Sequence, residues 1–170
     1  MNKIWSSYFI APYSIKNRLK RNILISLVFL FFVAIFLPFY SKTNCFLIKG
    51  ADDKIFFIEQ VKDKDEIVIS HINSIYDARV EEVLMVEGET LLLKGIETPS
   101  YGVKEYYGIT SGFTPRRFSS ITFRNTKDRG FFIKINGKKI EKIKDLVNMP
   151  VTFEIIQIST YEYYWLKLKI

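Results

Sequence analysis

The stretch from residue 78 to residue 97, "ARVEEVLMVEGETLLLKGIE", decides the fold class of this chain. Each half is a short run rich in apolar and β-branched residues, which is typical of strands in a half-buried sheet. Gly88 lies between the two halves, flanked by Glu87 and Glu89. Glycine accepts the positive φ angle of a tight hairpin turn. We therefore expect two antiparallel strands joined by a short turn.

Similar runs occur on both sides of this hairpin. They predict further strands, at 45–50, 54–61, 66–72, 151–158 and 161–170. The segment 130–143 contains Asn136–Gly137, which is the strongest short hairpin signal in the sequence. Eight or nine short strands of this kind predict an all-β fold, a single antiparallel β-sandwich or barrel-like domain.

Two segments interrupt the succession of strands. Residues 97–118 are rich in glycine and proline and predict a long surface loop, which on a β-scaffold is a common place for binding. The two candidate binding residues in the 97–118 loop are Tyr101 and Gly102. The second segment, residues 141–148, permits a short helix.

The positive charge of the chain is unevenly distributed. The formal net charge is +7, and six of the 25 cations lie in the first 42 residues, whereas the first acidic residue is Asp52. The remaining 19 cations face 18 acids, so the body of the chain is close to neutral. This distribution argues against a nucleic-acid partner.

An apolar run explains the basic N-terminal segment. Residues 23–39 carry no charge, and about 17 helical residues cover roughly 25 Å, close to the thickness of a bilayer core. The positive-inside rule then predicts a cytoplasmic basic and aromatic tail at 1–22, a transmembrane anchor at 23–40 and an extracytoplasmic β domain at 44–170. The boundary after the run lacks the small-residue pattern of a signal-peptide cleavage site, which favours an uncleaved anchor in the inner membrane over a signal peptide.

Charge is also segregated within the body. Residues 44–105 carry 7 cations and 13 acids, whereas residues 116–144 carry 10 cations and 2 acids. One interpretation is that these two halves complement each other across the fold. The other is a basic face that meets anionic headgroups, an acidic partner or an anionic solute. This face would be formed by Arg116, Arg117, Arg124, Lys127 and Arg129.

Several chemistries lack the residues they need. One histidine and one cysteine cannot supply the nitrogen and sulfur ligands of a zinc site, so we predict no metal site. The sequence contains no phosphate-binding loop, no G-x-S-x-G motif and no cofactor fingerprint, and we predict no cofactor. A single cysteine, Cys45, also excludes an intramolecular disulfide.

His71 is the one histidine, and it precedes a polar turn. On a strand, Ser70 and His71 point to opposite faces and cannot form a dyad. A small hydrolase would instead need Ser74, in the turn, with His71 and an acid such as Asp77. More often such a histidine stabilises a turn through its ring nitrogens.

The segment 71–102 resembles the bacterial domain-of-unknown-function family 1850, whose pattern is a strand ending in His-Ser-Val, a glutamate, a second strand and a Gly-x-Gly loop. His71, Glu82 and Gly102 match this pattern, whereas Ile72, Asn73 and Lys104 depart from it. The resemblance covers about residues 45–158. It implies an extracytoplasmic β-domain encoded beside TAXI-type tripartite (TRAP) transporters, with no established activity.

These observations favour an accessory or docking domain with no catalytic role, in contact with a transporter membrane subunit or a solute receptor. The residues expected to form its polar cluster are His71, Asn73, Ser74, Glu82, Tyr101 and Gly102. A neutral imidazole with a carboxylate partner would fix the turn that shapes this surface, and the same cluster could instead bind a ligand. Two alternatives remain at this point: a sensor or solute-binding module that uses residues 97–118 and the basic face, and the small hydrolase.

Overall fold

The computed structural model describes residues 12–124, 131–140, 146 and 149–170, without the side chains of residues 12–17 and 38. It contains a long N-terminal helix, ten strands, two further helices and one 3₁₀ turn in this part of the chain. The helices are α1 (Pro12–Tyr40), α2 (Tyr101–Tyr106) and α3 (Thr160–Lys169), and the 3₁₀ turn is Ile109–Ser111. The strands are β1 (Lys42–Gly50), β2 (Ile55–Val61), β3 (Glu66–Asn73), β4 (Ala78–Glu87), β5 (Thr90–Glu97), β6 (Arg116–Phe118), β7 (Ser120–Arg124), β8 (Phe132–Ile135), β9 (Lys138–Ile140) and β10 (Pro150–Ser159).

Helix α1 is apolar and long enough to cross a membrane. It has 29 residues, and its segment Arg18–Leu37 has a mean hydropathy of 2.1 and no buried residue. Leucine, isoleucine and phenylalanine side chains point outward on all sides of the helix. A helix that is apolar all round requires an apolar environment. It begins at Pro12, within the segment predicted as a tail, and residues 1–11 lie outside the described residues.

The strands form two antiparallel sheets. Sheet A has the order β2-β1-β10-β7, and sheet B has the order β6-β5-β4-β3-β8-β9. The longest pairing in sheet A joins β1 to β10 over nine residue pairs, from Lys42 opposite Ser159 to Gly50 opposite Val151. The prediction of an all-β sandwich preceded by one helix is confirmed.

Both sheets contribute to one core. The inward residues alternate along each strand, as the period of two in the sequence predicts. Phe46 of β1 and Phe153 of β10 are fully buried, with ring centroids 6.0 Å apart. Opposite them, sheet B supplies a layer of buried aliphatic side chains: Ile67, Ile69, Leu84, Val86, Leu91, Leu93 and Ile133. Each such side chain contributes about 1.5–3 kcal/mol on burial.

The C-terminal segment corrects one prediction. The sequence pattern of residues 161–170 predicts a strand, whereas Thr160–Lys169 forms helix α3. A capping box starts the helix: the Ser159 side chain accepts a hydrogen bond from the Glu162 backbone N–H, and the Glu162 carboxylate accepts one from the Ser159 N–H. The aromatic residues that suggested a strand instead occupy helical positions.

Helix α3 covers the outer face of sheet A. Tyr163 is 3 % exposed and packs in a small second core with Cys45, Leu47 and Ile58. Around Cys45, Leu47 and Ile58 sheet A is therefore buried on both faces, whereas sequence alternation alone predicts one buried face.

The predicted loop at 97–118 is only partly irregular. It contains α2, a 3₁₀ turn and the edge strand β6, and strand β7 follows without having been predicted. The two predicted hairpin turns are confirmed: Gly88 has a φ of 58°, and Asn136 and Gly137 have φ values of 49° and 78°. The helix suggested at 141–148 lies outside the described residues except for Leu146, which is buried.

The sandwich has two distinguishable ends. We call proximal the end where α1 enters; there the Asn44 side chain donates to the Gly88 carbonyl oxygen at 3.2 Å, which joins the start of β1 to the β4–β5 turn. We call distal the opposite end, where β1 finishes at Gly50 and β3 finishes at Asn73. The His71 and Phe123 rings, with centroids 4.8 Å apart, join the two sheets there.

Candidate functional site

The predicted polar cluster lies mostly at the distal end. His71 and Asn73 are the last inward residues of β3, Ser74 begins the following turn, and Tyr101 and Gly102 begin α2. The turn and the helix touch. A Cβ atom on Gly102 would lie 2.5 Å from Cε1 of Tyr76, so the Tyr76 ring occupies the space that glycine leaves open.

Asn73 fixes the distal turn. Its side-chain oxygen accepts hydrogen bonds from the backbone N–H groups of Ile75 and Tyr76, at 3.0 and 3.1 Å, in an Asx turn. Asp77 completes the turn with a φ of 46°. Asn73 is 9 % exposed, whereas Ser74 is exposed to solvent. The sequence suggested that His71 stabilises this turn through hydrogen bonds. In the structure Asn73 makes those hydrogen bonds.

His71 is buried and neutral. It is 6 % exposed, it lies opposite Val80 on the inner face of β3, and its ring contacts Phe123, which stacks on Phe131. Burial lowers its pKa from 6.5 to about 4, because an imidazolium would lose its hydration there. Its Nδ1 atom has no hydrogen-bond partner among the described residues. An Asp–His catalytic pair needs that nitrogen bonded to an acid, and no acid among the described residues bonds it.

Glu82 has a different partner from the one expected. It lies opposite Ile69, on the same inner face as His71 and diagonally across from it. Its carboxylate accepts a hydrogen bond of 3.4 Å from the hydroxyl of Tyr107, just beyond α2. Burial raises the pKa of Glu82, and both burial and the nearby carboxylate raise the pKa of Tyr107. The predicted cluster is therefore divided into His71 with Phe123 and Glu82 with Tyr107.

Ser70 and His71 do face opposite sides of the sheet. Ser70 is fully buried on the outer side, where its hydroxyl accepts a hydrogen bond of 3.3 Å from Nε of Arg79. Arg79 also pairs with Glu81 and lies 5.1 Å from the Phe132 ring centroid. The Arg79 side chain thus lies over Ser70 on the outer face of sheet B, bonded to polar groups and packed on the Phe132 ring.

The predicted basic face is divided between two sheet edges. Arg116 and Arg117 lie in β6, an edge strand of sheet B, and Arg124 lies in β7, an edge strand of sheet A. Arg117 Nε is 2.8 Å from a carboxylate oxygen of Glu87, so one of these cations is paired with the acidic half of the body. The two remaining members, Lys127 and Arg129, lie outside the described residues.

Two open clefts of the described structure lie away from the predicted cluster. An open cleft of about 310 Å³ lies on the outer surface, lined by Arg79, Glu81, Glu97, Thr98 and Pro99. A second open cleft, of about 530 Å³, lies between the end of α1 and the start of α3. His71 and Glu82 line neither of them. Among the described residues no group of three or more His, Cys, Asp and Glu side chains is arranged to hold a metal ion.

Sequence reasoning missed the aromatic residues of the distal end. Tyr76 contacts Gly102, Tyr107 bonds Glu82, and Phe123 contacts His71. The available signal was the density of tyrosine in the turn and loop, since tyrosine combines a large apolar surface with a polar tip.

Comparisons with family models, with curated proteins and with solved structures returned no match for this chain.

Proposed function

We propose that the chain is anchored in the inner membrane by α1, with its N-terminus in the cytoplasm, and that the sandwich outside serves as a docking domain for a membrane transport system. The system we propose is a TAXI-type TRAP transporter, on the resemblance of His71, Glu82 and Gly102 to family 1850. The proposal assigns no catalytic role to the chain.

The anchor is supported by the exposure of α1 and by its connection to the domain. The only residue between α1 and β1 is Ser41. Its carbonyl oxygen accepts a hydrogen bond of 2.9 Å from the Thr160 backbone N–H, and the two hydroxyl groups are 2.8 Å apart. The domain is thus held directly at the end of the helix. Arg18, Lys20 and Arg21 on the other side of the apolar run support the orientation.

A docking role is supported by one observation above all, the exposed aromatic surface at the distal end. The turn after β3 and helix α2 together expose four large side chains, which we call the distal surface: Ile75 (70 % exposed), Tyr76 (45 %), Tyr101 (70 %) and Tyr106 (62 %). Tyrosine is enriched where proteins bind proteins. The Asn73 turn and the Tyr76–Gly102 contact hold these side chains in place.

The distal surface favours a protein partner over a small solute. A small-molecule site is normally a concave pocket that buries most of its ligand. The two clefts described above lie elsewhere, and the tyrosines project outward. A receptor or transporter subunit would cover such a projecting surface.

Site-specific photocrosslinking in intact cells of the source organism tests this function. The photoreactive residue replaces Tyr101, at the distal surface, and in a matched control it replaces Lys138, an exposed residue beside the proximal Asn136–Gly137 turn. We expect the Tyr101 position to capture a solute receptor or a multispanning transporter subunit, identified by mass spectrometry, and the Lys138 position not to. Equal capture at both positions, or none at Tyr101, would contradict the proposal.

A further inference from the structure

Helix α3 carries an exposed apolar stripe. Its members are spaced three and four residues apart and so lie on one side of the helix: Tyr161 (47 % exposed), Tyr164 (58 %), Trp165 (47 %) and Leu168 (87 %). The opposite side of the helix, with Tyr163 and Leu166, packs on sheet A. The helix is therefore apolar on two sides, and only the side with Tyr163 and Leu166 packs against the sandwich.

The stripe is exposed on a firmly held helix. The capping box fixes the first turn, and near the C-terminus Lys167 Nζ lies 3.0 Å from a carboxylate oxygen of Glu59 in β2 and 2.6 Å from the Tyr163 hydroxyl. These bonds fix both ends of the helix against sheet A. The stripe is thus presented in one orientation, as a binding surface is.

The stripe begins where α1 ends. The rings of Phe39 and Tyr161 are stacked with centroids 4.4 Å apart, and Tyr40 beside them is 81 % exposed. Phe39 closes the apolar run of α1, so Tyr161 lies at the level where the bilayer core gives way to headgroups if α1 spans the membrane. The apolar surface of α1 and the stripe of α3 are consequently continuous.

The side chains of the stripe are of the types found at the boundary between the bilayer core and the headgroups. Tryptophan and tyrosine concentrate at the membrane–water interface, where their rings are apolar and their polar atoms meet water. Lys169 Nζ lies 3.2 Å from the Trp165 ring centroid, and Lys42 lines the open cleft between α1 and α3. Both cations are positioned to meet lipid phosphates.

We propose that α3 is a second membrane contact, which lies in the headgroup region of the bilayer that α1 crosses, with the stripe of Tyr161, Tyr164, Trp165 and Leu168 turned toward the acyl chains. This inference rests on the proposed anchoring by α1. It gives the sandwich a defined orientation, with sheet A toward the lipid.

Fluorescence of Trp165 tests the contact. The chain has two tryptophans, so Trp5→Phe leaves Trp165 as the only one. The full-length variant is reconstituted in vesicles of phosphatidylcholine and phosphatidylglycerol, and insertion of α1 is verified by resistance to alkaline extraction. We expect lipids with brominated acyl chains to quench Trp165, acrylamide in the aqueous phase to quench it weakly, and its emission to lie to the blue of that of an exposed tryptophan.

A matched control moves the single tryptophan to the distal end of the sandwich. The variant Trp5→Phe/Trp165→Phe/Tyr106→Trp carries its only tryptophan on the exposed distal surface. It should be quenched by acrylamide and not by brominated lipid. If Trp165 behaves like this control in alkali-resistant vesicles, the inference falls while the anchor stands.

Two other occupants of the stripe give a result different from that expected for lipid. A second copy of the chain or another protein would shield Trp165 from acrylamide without bringing it to brominated lipid, and this result overturns the inference. Complete extraction of the chain by alkali would overturn the anchor and the inference together.

Discussion

The distal surface and the α3 stripe both expose aromatic side chains, but they differ in what holds them and in what lies beside them. The stripe lies on a capped helix packed along sheet A and adjoins the apolar surface of α1. The distal surface lies on a short turn and a six-residue helix, at the end of the sandwich away from α1. Our two proposals therefore assign lipid to the stripe and a protein partner to the distal surface, because position relative to α1 decides which partner is within reach.

The largest expected effect is a difference in unfolding free energy between substitutions on the buried and the exposed side of α3. Tyr163→Ala should lower the free energy of unfolding by about 3 kcal/mol, because it removes a buried aromatic ring and one of the two hydrogen-bond partners of Lys167. Tyr164→Ala, the exposed neighbour, should change it by less than about 0.5 kcal/mol. Urea unfolding of the full chain in detergent micelles measures both, and equal losses would contradict the packing of α3 on sheet A.

Acid should weaken the distal end through His71. Its folded pKa, about 4, lies below the ordinary 6.5, so the unfolded chain binds more protons between these values. The contribution of neutral His71 to the free energy of unfolding is complete above about pH 6.5. It is lost as pH falls toward 4, which lowers the free energy of unfolding by about 3 kcal/mol. The raised pKa of Glu82 acts in the opposite sense, since the folded state then holds its proton more tightly.

The variant His71→Leu isolates this contribution. Urea unfolding at a series of pH values should show the acid-dependent loss in the wild type and a flatter curve in the variant. Because Nδ1 has no partner in the described structure, the variant should be at least as stable as the wild type at pH 7. Superimposable pH curves would show that His71 does not carry the effect.

A smaller effect tests what holds the distal turn. Asn73→Ala removes the acceptor for two backbone N–H groups and should cost about 1–2 kcal/mol. Ser74→Ala, in the same turn but exposed, should cost less than about 0.5 kcal/mol. Urea unfolding measures both, and photocrosslinking from Tyr101 should weaken in the first variant alone. A larger loss for Ser74→Ala would refute the Asx turn.

The smallest expected effect concerns the Tyr76–Gly102 contact. Gly102→Ala places a Cβ atom against the Tyr76 ring and should cost about 1 kcal/mol. Gly95→Ala is the control, since nothing lies within 4 Å of a Cβ atom there. Thermal unfolding in a Tyr76→Ala background completes a double-mutant cycle, in which the cost of Gly102→Ala should disappear. A cost that persists would place the strain elsewhere.

The C-terminal segment shows how far local signals reach. Its tyrosines and tryptophan favour a strand by propensity, whereas Ser159 followed three residues later by Glu162 is the pattern of a helix start. Packing decides between them, because Tyr163 and Leu166 meet the outer face of sheet A only when the segment is helical. The capping signal was visible in the sequence, but the surface that makes the helix favourable was not.

The candidate site was predictable in position but not in its contacts. His71, Asn73 and Gly102 were expected near one another, and their segments touch through Tyr76. The pairing of Glu82 with Tyr107 and the contact of His71 with Phe123 join residues 25 and 52 positions apart. Composition and spacing carry no information about contacts at such separations.

The sequence by itself determined the features that depend on local hydropathy and period: the apolar helix, the alternating strands and the turns at Gly88 and Asn136–Gly137. Only the tertiary structure decided which polar groups are buried, which cations are paired and which side of α3 stays exposed. The physical reason is that hydropathy and turn propensity act between neighbours in the chain. Burial, desolvation and pairing depend on which distant segments meet once the sheets have packed.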